Sequence, residues 1–125
     1  MTTSTNTGLV AIVDDDQSVQ NALKDLMESV GISARCFGSA QEFLASHERD
    51  RTACLIVDIR MPGMSGLEMQ TRLKAEGSFI PIIFMTAHND SKTKMQAIKA
   101  GAIEFLSKPF DDEVLLEKVR LTLGM

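Results

Sequence analysis

In this 125-residue chain, acidic residues follow two of the apolar runs, and a hydroxyl and a lysine follow two others. Asp14, Asp15 and Asp16 come directly after LVAIV, Asp58 after CLIV, Thr86 after PIIFM, and Lys108 shortly after Leu106. Any one of them alone would be ordinary, as a helix N-cap or a solvated loop residue. Together they suggest a definite chemistry. Two carboxylates held ~4 Å apart repel by on the order of 4 kcal/mol at an effective dielectric of ~20. A fold tolerates that where something positive binds. The hard divalent ion that takes one or two carboxylates, keeps several waters and leaves room for a phosphate oxygen is Mg²⁺. A lysine and a threonine hydroxyl suit phosphoryl oxygens rather than the metal. Neither G-x-x-x-x-G-K-[ST] nor G-x-G-x-x-G occurs, and Gly63 and Gly66 fall in a tight turn after the third apolar run. The pattern handles a phosphoryl group without evident means to hold ATP.

These residues need elements that bring them together. The run 9–13 is short and β-branched, as a buried strand requires. Val19, Ala22, Leu23, Leu26, Met27 and Val30 recur at helical spacing until Gly31. Residues 32–37 read as a second strand, and Ser39 with Glu42 as an S-x-x-E capping box for a helix ending near Ser46. Cys54 to Val57 form the third strand, running into Asp58. Ser65 and Glu68 make a second capping box, for a helix through about Glu76. Residues 81–85 are the fourth strand, 91–100 a helix stopped by Gly101, and 103–106 the fifth strand. Asp111, Asp112 and Glu113 place negative charge where the last helix begins.

Five βα units in strict alternation imply an α/β sandwich around a parallel sheet. The size suits a (βα)5 flavodoxin-like, doubly wound sheet in the order 2-1-3-4-5. In such a sheet ligands bind beyond the carboxyl ends of the strands, where the residues named above must lie.

Composition narrows the function classes. Thirteen basic against seventeen acidic residues give a net charge of -4, which argues against a general basic surface for nucleic acid. No apolar run approaches the ~20 residues of a membrane span. The opening MTTSTNTG has neither the charged nor the apolar region of a secretory signal, so the expectation is a cytoplasmic domain over 8–125 behind a flexible 1–7. Cys36 and Cys54 sit in apolar stretches and read as reduced core residues. His47 reads as surface, and most of the eight methionines as core filler.

With those residues in view, Val13-Asp14-Asp15-Asp16, the run Asp58-Ile59-Arg60-Met61-Pro62-Gly63-Met64-Ser65-Gly66, Thr86-Ala87 and Lys108-Pro109-Phe110 resemble the receiver (CheY-like) domain of two-component response regulators. The likeness covers about residues 9–123. It implies that Asp58 accepts a phosphoryl group from a sensor histidine kinase or a phosphotransfer protein. It further implies that Asp15 and Asp58 hold Mg²⁺ with the Arg60 main-chain carbonyl, and Asp14 through a water. Thr86, Lys108 and the Ala87 main-chain N–H would hold the acyl phosphate, and Lys108–Pro109 would be cis. Such a domain assists its own phosphorylation and dephosphorylation but is a phosphoacceptor rather than an enzyme. Asp16 reads chiefly as the N-cap of the first helix, with a site role as the alternative.

The resemblance also implies a switch. Thr86 moves toward the phosphoryl group and Phe105 turns into the space it leaves, changing a face that includes Met95, Ile98 and Lys99. Plain core packing is the alternative for Phe105. Arg60 and His88 flank the site and either tune hydrolysis or are solvated loop residues. A phosphorylation-dependent homodimer through the fourth helix and fifth strand is the partner expectation that goes with this switch.

The phrases Gly38-Ser39-Ala40-Gln41-Glu42-Phe43-Leu44 and Met85-Thr86-Ala87-His88 look most like FixJ-type regulators, which carry a C-terminal DNA-binding domain. The expectation is therefore an excised regulatory domain of a transcriptional regulator, with a stand-alone receiver acting by protein docking as the alternative. From another class, a haloacid-dehalogenase-type phosphohydrolase would use Asp14 in D-x-D, but has Ser18 where Thr or Val belongs and leaves Asp58 unexplained. An FMN protein of the same fold fails on charge, because acids after the first strand would repel the FMN phosphate.

Overall fold

The computed structural model describes residues 8–87 and 90–125. The expectation for residues 1–7 and the reading of His88 lie outside them. The elements are β1 (Leu9–Val13), α1 (Gln17–Ser29), β2 (Ala34–Phe37), α2 (Ala40–Leu44), a 3₁₀ turn (His47–Arg51), β3 (Thr52–Asp58), α3 (Gly66–Ala75), β4 (Ile82–Thr86), α4 (Ser91–Lys99), β5 (Glu104–Ser107) and α5 (Asp112–Leu123). All strand pairs are parallel and the order is β2-β1-β3-β4-β5, as the alternation requires.

β1 is buried along its whole length, which accounts for its uninterrupted apolar sequence. Alternate strand residues feed two cores. Ala11, Val13, Leu55, Val57, Phe84 and Phe105 pack with Phe43 of α2, Met69 and Leu73 of α3, and Ala97 of α4. Ile12, Ile56, Ile83 and Met85 pack with Leu23 and Met27 of α1 and with Leu115, Leu116 and Val119 of α5. Two helices therefore cover one face and three the other. Continuing the two-residue period past Ile12 and Ile56 carries Asp14 and Asp58 to the α1/α5 side.

Several boundaries differ from the sequence reading. β2 begins at Ala34 rather than Ile32, because Ile32 closes α1 instead: its N–H donates to Met27 O at 2.9 Å and Gly31 N–H to Glu28 O at 3.1 Å. Gly31 has a φ of +79°, the left-handed conformation this terminus needs. Ser39 caps α2 by accepting from Glu42 N–H, but the box is not reciprocal. The Glu42 carboxylate accepts the Gly38 N–H at 3.1 Å rather than that of Ser39. α2 also stops at Leu44, since Ser46 N-caps the 3₁₀ turn, whose charged HERDR sequence carries no apolar period. β4 and β5 each lie one residue later than expected; Pro81 has no N–H for the ladder, although its carbonyl accepts from Leu55 N–H. The box at Ser65 and Glu68 is complete in both directions.

Candidate functional site

Strand register gathers the chemically active residues. Val13 pairs with Val57, so Asp14 and Asp58 emerge side by side; Asp58 pairs with Met85 and Thr86 with Ser107, placing Lys108 next along the same edge. The Lys108 N–H donates to Thr86 O at 2.7 Å, which fixes the β5–α5 connection against β4. The Lys108–Pro109 bond is cis.

Asp14 is completely buried and Asp58 is 9% exposed, whereas Asp15 is exposed at the rim. One carboxylate oxygen from each lies within 4.8 Å of the others, the one such acidic trio among the described residues. Lys108 Nζ lies 3.2 Å from Asp14 Oδ2 and 3.5 Å from Asp58 Oδ2. Asp14 Oδ1 also accepts the Asp16 N–H at 2.9 Å, and Asp58 Oδ1 the Arg60 N–H at 3.2 Å. Burial, with the Asp14 charge, pushes the Asp58 carboxyl above its ordinary range, opposed by Lys108 and the Arg60 N–H. Burial would lower the Lys108 ammonium, but Asp14 and Asp58 outweigh it and raise it. Lysine is therefore held charged and the Asp58 oxygen is kept basic.

Three carboxylates against one ammonium leave a local formal charge of -3 + 1 = -2. Oxygen donors of this number and charge suit a hard divalent cation, and a thiolate or imidazole that would favour a softer metal is absent from the trio.

The other residues singled out in the sequence lie partly at these strand ends and partly elsewhere in the fold. Thr86 is 1% exposed at the end of β4, and Ala87 is exposed beside it. Phe105 is already buried, tilted against Phe84 with ring centroids 6.5 Å apart. Arg60 and His47 are exposed. Asp16 caps α1: its Oδ1 accepts from Ser18 N–H at 2.9 Å and from Ser18 Oγ at 2.6 Å, and these bonds lower its pKa. Cys54 is buried, and burial pushes its thiol up to about 12; Cys36 is only half-buried. Met27, Met61, Met69 and Met85 are core, whereas Met95 is 71% exposed.

Two residues have roles at the site that sequence reasoning does not assign. Gln20 Nε2 donates to the Asp14 main-chain carbonyl at 2.7 Å. Gly66 lets the start of α3 approach the strand: a Cβ there would lie 2.7 Å from Asp58 O and 3.0 Å from the Phe84 ring. The sequence signal for Gly66 was its place in the turn after Asp58; Gln20 gave none beyond a polar residue in the first turn of a helix.

The family profile of the response regulator receiver domain matches residues 10–120. The chain belongs to this family. Receiver domains are regulatory signalling domains of two-component systems, and both rival readings, the phosphohydrolase and the FMN protein, fall away. The response regulator protein TodT of Pseudomonas putida is 47% identical over 122 residues, which cover 98% of this receiver chain and 54% of TodT. The transcriptional regulatory protein FixJ of Azorhizobium caulinodans is 41% identical over 115 residues, 92% of this chain and 54% of FixJ. Among solved structures, that of response regulator StyR matches with a TM-score of 0.87 at 44% identity, over 95% of this chain and 60% of that one. FixJ-N matches with a TM-score of 0.87 at 35% identity, over 96% of each chain. The receiver chain spans about half the length of the curated relatives it matches. Among the described residues, no helix is long and apolar enough to cross a membrane.

Proposed function

We propose that Asp58 accepts a phosphoryl group from a phosphohistidine of a sensor kinase or phosphotransfer protein, in a Mg²⁺-dependent transfer. The observation that carries this is the Asp58 carboxylate at the end of β3, at the rim, between two further carboxylates and the Lys108 ammonium. An Asp58 oxygen attacks phosphorus as the P–N bond breaks; the imidazole nitrogen keeps the bonding pair, and an acyl phosphate remains on Asp58. Such a transfer needs in-line positioning and charge neutralisation more than a strong base. Asp15 and Asp58 would hold Mg²⁺ with the Arg60 main-chain carbonyl, and Asp14 through a water. When bound, the ion neutralises charge on the phosphoryl oxygens. Lys108 is drawn from the Asp58 carboxylate to those oxygens, and Thr86 and the Ala87 N–H complete the set of donors.

The output is a two-state equilibrium that phosphorylation biases. Thr86 ends β4 and Phe105 lies on the neighbouring strand against Phe84, so a shift of Thr86 is felt by the Phe105 ring. The responding face comprises α4, β5 and α5, where Met95 and Ile98 are exposed, and it serves phosphorylation-dependent homodimerisation. The name of the relative FixJ, a transcriptional regulatory protein, favours a regulatory domain of a transcriptional regulator. Incubation with acetyl phosphate tests the reading. Phosphorylated protein on a phosphate-affinity gel is expected with Mg²⁺ and not with a chelator, and equal uptake in both would refute the Mg²⁺ requirement.

A further inference from the structure

We propose that Gln20 is a positioning residue for the divalent cation. By donating to the Asp14 carbonyl it fixes the peptide between Asp14 and Asp15, and so aims the Asp15 carboxylate into the acidic trio. The inference rests on the reading of that trio as a Mg²⁺ site.

Asp15 poses the problem that Gln20 solves. It is exposed, and among the described residues none donates a hydrogen bond to its carboxylate, yet one of its oxygens lies within 4.8 Å of those of Asp14 and Asp58. Asp14 and Asp58 differ from it, because each is held by a main-chain N–H and by Lys108. A side chain without partners is placed by its backbone.

The backbone on either side of Asp15 is tied down at three points. Asp14 N–H donates to Phe37 O at 3.1 Å, and Asp16 N–H to Asp14 Oδ1 at 2.9 Å. The third point is the Gln20 amide at 2.7 Å from the Asp14 carbonyl oxygen. That carbonyl and the Asp15 N–H belong to one rigid plane, so holding the oxygen sets the rotation of the plane and the direction in which the Asp15 side chain leaves it. Gln20 is itself well anchored. Its N–H donates to Asp16 O at 3.1 Å, and its carbonyl accepts from Cys36 Sγ at 3.4 Å. Through its main chain and its side chain Gln20 thus links α1 and β2 to the acidic turn, and a carbonyl partner requires the NH₂ end of its amide to face it.

The test is Mg²⁺ binding to the whole chain by isothermal titration calorimetry, without any phosphodonor. Gln20→Met keeps the length of the side chain and removes the donor. Gln20→Ala removes the amide without adding bulk and favours the helix. Asn21→Met is the control on the neighbouring, exposed position. Loss of a partner that orients a ligand costs roughly tenfold or more in metal affinity. We expect that loss in both Gln20 variants, wild-type affinity in Asn21→Met, and little change in any melting temperature measured with a chelator. Folded Gln20 variants that bind Mg²⁺ like the wild type would overturn the proposal. So would weakened binding that Asn21→Met shares, or that appears only with a matching loss of stability. If the wild-type chain itself binds no Mg²⁺, the reading of the acidic trio fails and takes this inference with it.

Discussion

Lys108 Nζ lies 3.2 Å from Oδ2 of Asp14, a carboxylate with no exposed surface. The ammonium reaches that buried charge from the loop after the edge strand β5, and the same group lies 3.5 Å from Asp58 Oδ2. Under the proposed function, that is the position from which the lysine moves to an incoming phosphoryl group.

Removing the ammonium separates metal binding from transfer. In Lys108→Met the trio loses its one compensating charge and becomes more attractive to a cation. Two unit charges ~4 Å apart interact by about 1 kcal/mol even at the dielectric of water, and a divalent ion doubles that, so Mg²⁺ affinity rises by roughly thirtyfold. Phosphoryl uptake from acetyl phosphate falls by an order of magnitude or more. Calorimetry and a labelling time course check the two halves, and a parallel loss of both would contradict the assignment of Lys108 to phosphoryl oxygens.

Repulsion within the trio predicts a stability gain on removing a charge. Asp58 has its pKa raised by burial and by Asp14. A carboxyl raised in the folded state holds its proton there over a pH range in which the unfolded chain has lost it. Its contribution to stability is therefore present below the unfolded pKa of ~3.9 and is lost as pH rises through the folded value. Asp58→Asn abolishes that loss. At pH 7 without Mg²⁺ the variant is more stable than the wild type, and the difference shrinks as pH falls toward the unfolded carboxyl's ~3.9. Urea melts across that range provide the check; a variant less stable at pH 7 would contradict the account.

The clearest lesson about legibility comes from the strand ends. Asp14, Asp58, Thr86 and Lys108 were readable as one site because a parallel sheet delivers every strand's carboxyl end to the same edge, and continuous apolar runs mark where those ends lie. The elements themselves were readable for the same reason. Ile32 was misplaced because an apolar residue after Gly31 looks the same whether it starts a strand or closes a helix. The turn at His47–Arg51 carries no period at all. Gln20 was invisible, since whether a helical amide turns toward a carbonyl six residues back depends on how the helix docks on the strand.

Gly66 supplies a prediction of the packing kind. A Cβ at that position meets the Asp58 carbonyl at 2.7 Å, and backbone cannot move aside as a flexible side chain can. Gly66→Ala destabilises the domain by about 1–3 kcal/mol. It also weakens phosphoryl uptake, because α3 is pushed away from the strand that carries Asp58. Thermal melts and labelling of the same preparation measure both effects.

Under the proposed function, coupling to the output face is separable from phosphorylation. Thr86→Ala keeps the Asp58 carboxylate and the trio but removes the hydroxyl offered to the phosphoryl group. Light scattering with beryllofluoride and Mg²⁺, a mimic of the acyl phosphate, is expected to show a dimer for the wild type and a monomer for Thr86→Ala. A wild type that stays monomeric with the mimic would refute the dimerisation proposal while leaving the phosphoacceptor untouched.

Intact-protein mass spectrometry after treatment with acetyl phosphate and Mg²⁺ identifies the phosphoacceptor. A mass gain of one phosphoryl group is expected in the wild type, none in Asp58→Asn, and a slower gain in Asp14→Asn. No gain in the wild type, or a gain that survives in Asp58→Asn, would contradict Asp58 as the phosphoacceptor.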